Sequence, residues 1–200
     1  MLLKKEQILV FLVHTVALSI FTFLFLSRQN YEFLLYVGVI LTVMFLILWS
    51  NARVNYPVNL LWGLTIWSII HMAGGGIYFN GTRLYDTILI PIVGAPYFIF
   101  RYDQMAHIFG FAVATLLMFT IMKPILDKKL QKYSAMSVLL VMAGMGAGAL
   151  NEVIEFFAVV IIGSTGVGDY YNTALDMVSN LVGCLLALIY ILKVEIKKFK

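Results

Sequence analysis

Two imidazoles, His71 and His107, and four carboxyls, Asp103, Glu152, Glu155 and Asp176, are the groups with which this chain can do chemistry. Their spacing is regular. Asp103 and His107 stand i,i+4, as do Asp176 and Asn180, while Glu152 and Glu155 stand i,i+3 with Asn151 beside them. On a helix each pair projects from one face. Imidazole nitrogen mixed with carboxylate oxygen suits a divalent metal such as Zn, Mn or Fe. We expect His71, Asp103, His107 and Asp176 to be the metal ligands, and Glu152 or Glu155 to act as general base toward a water. Arg83 and Arg101 suit bidentate phosphate contacts, and with Asn180 they form the expected substrate-binding set. The competing reading is a set of hydrogen-bonded ties between helices.

The elements that must position these groups are membrane spans. Hydrophobic residues make up 62% of the 200 and charged residues only 12%, against roughly 25% charged in a soluble globule. Mean hydropathy is +0.95. A spanning helix needs about 20 mostly apolar residues. Six runs qualify: Ile8–Leu26, Phe33–Trp49, Asn59–Phe79, Asp103–Met122, Ser134–Ile162 and Tyr171–Leu192. The expected fold is therefore all-α, a single transmembrane domain over residues 1–200. The first run exceeds the usual h-region of a signal peptide and has no A-x-A site before Arg28, so it reads as a retained helix.

Lys and Arg counts give the direction. With both termini inside, the inner segments hold eleven basic residues, including Lys128, Lys129 and Lys132, and the outer segments hold only Arg28, Arg83 and Arg101. Such a split predicts cytoplasmic termini in a cell membrane. The net charge of +4 is distributed as topology signals, not as a nucleic-acid surface. The bilayer is the expected partner. The connection from Asn80 to Tyr102 then faces out. Its apolar stretch Ile88–Phe100 is broken by Pro91, Gly94 and Pro96, so it is expected to lie in the interface or dip back as a re-entrant loop.

This topology aligns the chemistry. Spans three and five run outward and carry their polar residues late; spans four and six run inward and carry theirs early. All four sets fall in the outer half, within roughly 15 Å of the surface at about 1.5 Å per residue. Ionisable groups in hydrocarbon cost at least about 2.5–3.5 kcal/mol each, and they usually face a bundle interior. Gly110, Gly183, Gly144 and Gly148 supply small surfaces for close helix approach on the same faces. His14, alone in the first span, reads as a core or lipid-facing residue, and Cys184 as a packing residue. The glycine-rich loop from Gly163 to Asp169 lacks the Lys-Ser/Thr of a nucleotide loop.

From His71 onward the chain resembles the YjdF-like family of prokaryotic inner-membrane proteins. The likeness rests on His71-x-x-Gly-Gly, Arg101-x-Asp103-x-x-x-His107, Asn151-Glu152-x-x-Glu155 and Asp176-x-x-x-Asn180-x-x-Gly183. The last three also resemble the broader VanZ-like group, which implies a cell-envelope setting. Glu155 stands where VanZ-like members usually carry Gln, and the Pro-x-Arg stretch that normally follows is absent. The functional expectation is a metal-dependent intramembrane hydrolase acting on a lipid or lipid-linked envelope substrate. A proton- or cation-coupled carrier and a non-catalytic scaffold are its alternatives.

Overall fold

The computed structural model describes residues 3–124, 134–163 and 166–195, and each of the six expected spans is a helix. The helices are α1 (Lys5–Ser27), α2 (Tyr31–Val54), α3 (Val58–Gly76), α4 (Tyr102–Met122), α5 (Ser134–Ile162) and α6 (Tyr170–Tyr190), the last ending in a π turn at Ile191–Glu195. Local chemistry sets their ends. Asn30 opens α2 by accepting a hydrogen bond from the Phe33 N–H at 3.2 Å, and Asn55 closes it in the left-handed region at φ 51°. Asp169 opens α6 by accepting from the Asn172 N–H at 3.1 Å. In α4 the Gln104 Oε1 accepts from the Arg101 N–H at 3.1 Å. The basic residues Lys128, Lys129 and Lys132 lie outside the described residues, as does part of the Gly163–Asp169 loop.

Helices α3, α4 and α6 form the middle of the bundle, and α4 against α6 is its most extensive pairing. On one flank α1 packs on α3; on the other α5 packs on α4 and α6, and α2 reaches across to α5. The outward faces are apolar: Leu9, Leu12, Val16, Ile20 and Phe23 form an exposed stripe on α1, and Val153, Phe156, Val160 and Ile161 do so on α5. Phe23 is 76% exposed. Apolar stripes of this length belong against lipid, where their exposure carries no hydrophobic cost.

Close approach at glycine explains the central pairing. A β-carbon on Gly183 would collide with the Ile108 carbonyl oxygen and stand 2.9 Å from the Ala112 nitrogen, both backbone atoms of α4. One on Gly148 would stand 2.7 Å from the Asn180 Nδ2. At the end of the bundle where α1 begins, Gln7 is fully enclosed. Its amide nitrogen donates to the Tyr56 carbonyl at 2.9 Å, and its oxygen accepts from Asn51 at 3.1 Å. His14 is half-buried and shares a 3.2 Å hydrogen bond with Thr65, while Cys184 is wholly buried.

The long connection corrects one expectation. Span three ends at Gly76, not Phe79, because Ile77 turns extended and the chain enters a small hairpin, β1 (Tyr78–Phe79) with β2 (Thr82–Arg83). A single 3-10 turn at Leu84–Asp86 leads to a second hairpin, β3 (Ile88–Val93) with β4 (Ile99–Arg101). The stretch does not dip between the helices, since all six residues of β3 are exposed. Its Ile and Val favour extended backbone, antiparallel pairing satisfies part of its polar backbone, and Pro91 is tolerated in a strand whose other side is open. The membrane part is all-α as expected; the hairpins sit at its end.

Candidate functional site

The site is built at the hairpin end, from the first turns of α4 and α6 and the later turns of α3 and α5. Asn172, Asp176 and Asn180 climb one face of α6 at four-residue intervals, opposite Asp103 and His107 on α4. The buried His107 ring lies between the two helices. Its Nδ1 is 2.9 Å from the Asn180 Oδ1, an atom that can only accept, so Nδ1 carries the proton. Nε2, on the other side of the ring, lies 3.6 Å from the Asp103 Oδ1 and is the nitrogen a neutral ring would offer to an ion. Asn172 Nδ2 donates to the Asp176 Oδ2 at 2.6 Å and to the Asp103 Oδ2 at 3.4 Å. Asp176 is 1% exposed, yet its Oδ1 has no hydrogen-bond partner among the described residues.

Helix α5 closes the third side. Asn151 donates to the Glu155 Oε1 at 2.7 Å, and the buried Glu152 Oε1 has no hydrogen-bond partner among the described residues. One ligand atom each from Asp103, His107 and Asp176 lie within 4.8 Å of one another, and the same holds for His107, Glu152 and Glu155. His107 is common to both groups. In each group one imidazole nitrogen stands with carboxylate oxygens, one of its carboxylates having an orphaned oxygen, a donor set that fits a divalent cation. Orphaned buried carboxylate oxygens are otherwise costly.

The remaining expected residues are placed around this centre. His71 is not among the convergent groups found in the described residues. Its Nδ1 shares a short hydrogen bond with the Tyr85 hydroxyl, and its ring stacks on Trp67 at 5.5 Å. It does line a narrow cavity of about 30 Å³ together with Asp103, Glu155, Glu32 and Asn172, room for about one or two waters. Arg83 pairs with Asp86 at 3.1 Å and donates to the Gly166 carbonyl at 2.7 Å. Arg101 stands at the start of α4, its guanidinium 5.2 Å from the centre of the Phe98 ring. It lines a separate surface groove of about 380 Å³, which Asn172 also lines. Asn180 is fully buried beneath His107 and does not line that groove.

Above the spans the electrostatics are set by the acidic neighbours. Burial, then the charges of Asp103 and Glu155, push the Tyr85 phenol well above its ordinary range, so it stays protonated. Burial works against the Arg83 charge, but Asp86, then Glu32 and Asp103, outweigh it and move its pKa up.

A family model described as "Predicted membrane protein (DUF2238)" matches residues 8–197. The chain belongs to this family. It is the YjdF-like family that the chain resembles. No curated protein and no solved structure is significantly similar to the chain.

In this DUF2238 member three site residues escape sequence reasoning. Asn172 was findable, because it continues the 176/180 spacing one turn back. Tyr85 reads as an ordinary interfacial aromatic. Glu32 sits in the first turn of α2, where an acid merely complements the helix dipole. In the fold Glu32 is buried, and its Oε2 accepts from the Gly166 N–H at 2.8 Å. Glu32 and Arg83 thus hold the backbone N–H and carbonyl of Gly166 and fasten this part of the α5–α6 connection over the cavity. A hydrogen bond to a charged group contributes about 1.5–3 kcal/mol, so Glu32→Ala should speed amide exchange at Gly166 by roughly 10–100-fold. Unchanged protection in hydrogen-exchange mass spectrometry would show that this clasp carries no weight.

Proposed function

We propose that the chain is a metal-dependent intramembrane hydrolase acting on a lipid or lipid-linked envelope substrate at the outer face of the cell membrane. The convergence of Asp103, His107 and Asp176 around an orphaned carboxylate oxygen is the observation that carries this reading. These three side chains would hold the ion. Asn180 fixes the His107 tautomer so that Nε2 faces Asp103, the usual duty of a residue behind a ligating histidine. Asn172 orients Asp176 and Asp103. A bound divalent ion supplies Lewis acidity that makes a neighbouring water reactive near neutral pH. Glu152, whose Oε1 has no hydrogen-bond partner among the described residues, would be the general base toward a water, with Glu155 supporting it from the next turn. His71, tied to Tyr85, borders the cavity that admits the water. Arg101 is the phosphate-binding group; Arg83 acts mainly through the clasp.

The basic-residue asymmetry supports cytoplasmic termini, which turns the hairpin end outward. The resemblance of the last three motifs to VanZ-like proteins is the ground for reading an envelope setting. A carrier would need a polar route through the other half of the bundle. There the core among the described residues is mainly apolar, with Val10, Ile47, Leu60, Leu61 and Val113, and its buried Gln7 and Asn51 are bonded to each other and to Tyr56, which favours an enzyme. The test is elemental analysis of protein purified without chelators. About one equivalent of a divalent transition metal is expected in the wild type, and less than about a tenth of that in Asp176→Asn. A metal-free wild type that still supports its cellular role rejects the proposal.

A further inference from the structure

The surface groove of about 380 Å³ lies between the β3–β4 turn and the start of α6, lined by Tyr97, Phe98, Arg101, Asp169, Tyr171 and Asn172 among others. Its charges are opposed but not paired. Arg101 stands over the Phe98 ring, and no carboxylate lies within ion-pair distance of it among the described residues. Asp169 uses one oxygen to open α6 and likewise has no cationic partner there. The Tyr97 and Tyr171 rings meet at 83° with centroids 5.3 Å apart, forming an aromatic corner beside that carboxylate.

A site for a simple anion has no use for Asp169, and a site for a simple cation has no use for Arg101. Together they complement a ligand carrying both signs. A guanidinium matches phosphate geometry, and an aromatic corner with a carboxylate matches an ammonium. The neighbouring β3 exposes Ile88, Leu89, Ile90, Ile92 and Val93, an apolar ribbon that suits a bilayer surface and not free solution. We infer that the groove binds the headgroup of a zwitterionic phospholipid, its phosphate on Arg101 and its ammonium between Tyr97, Tyr171 and Asp169. As the substrate arm of the hydrolase this rests on the reading above. Asn172 joins the two, since it lines the groove and holds Asp103 and Asp176 behind it.

Binding is measured on full-length protein in detergent, by native mass spectrometry with phosphatidylethanolamine and phosphatidylglycerol of matched chains. The wild type should prefer the zwitterionic lipid by at least about tenfold, the scale of one desolvated cation–π contact with its carboxylate. Asp169→Asn and Tyr171→Leu should bring the two lipids level, and Arg101→Gln should weaken both. Equal wild-type binding of the two lipids overturns the inference, and this arm needs no variant to fold. Soluble phosphoethanolamine binding as tightly as the lipid overturns the membrane source. The two readings fail separately: a wild type that is purified metal-free and still prefers the zwitterionic lipid fails the hydrolase reading without failing this one.

Discussion

His107→Ala protein should lose divalent-metal affinity by more than about 100-fold while remaining folded, and this is the largest effect expected of any single side chain at the site. The reason is geometric. His107 is the one residue common to both convergent groups, and it supplies the nitrogen donor of each. Truncation leaves carboxylates alone to hold the ion and removes the softer ligand that favours a transition metal over magnesium or calcium. Asn180→Leu separates a ligand from its positioning residue. It frees the His107 Nδ1 from its 2.9 Å partner, lets the other tautomer form, and should cost about 10–100-fold, as losses behind a ligating histidine do. Isothermal titration of the stripped proteins with Zn²⁺ and Mn²⁺ gives the order wild type, Asn180→Leu, His107→Ala. Equal affinities for all three would mean that these groups are interhelical ties and nothing more.

The membrane spans were legible because hydropathy over twenty residues is a strong signal and the bilayer admits few alternatives. The ligand faces were legible for a related reason. A polar residue in hydrocarbon stands out, and a four-residue interval assigns it to one side of a helix. That logic reached Asp103, His107, Asp176 and Asn180, which do converge. It placed His71 at the right end of the bundle but could not supply its partner, because Tyr85 lies on a loop with no periodicity to read. The β3–β4 hairpin was hidden for want of a second strand long enough to notice: β4 is only Ile99–Arg101. Glu32 was hidden by position, one residue outside the expected span, where an acid ordinarily faces water.

Gly183→Ala should lower thermal stability and weaken metal binding together, although in isolation the change favours a helix by about 1 kcal/mol. The packing term opposes it. The added carbon would meet the Ile108 carbonyl and, at 2.9 Å, the Ala112 nitrogen; backbone atoms cannot rotate aside, so α6 must move away from α4. Overpacking of this kind costs about 1–3 kcal/mol, enough to reverse the propensity gain. The displacement acts where it matters. Asn180 lies three residues before Gly183, His107 is the immediate neighbour of Ile108, and their 2.9 Å bond spans the same helix gap. Metal affinity should therefore fall toward that of Asn180→Leu, with a melting temperature lower by several degrees at roughly 2–4 °C per kcal/mol. Gly146→Ala is the matched control, since a β-carbon there meets nothing within 4 Å; it should melt at or above the wild type and bind metal normally. If the two alanine variants behaved alike, the closeness of α4 and α6 would not be what assembles the site.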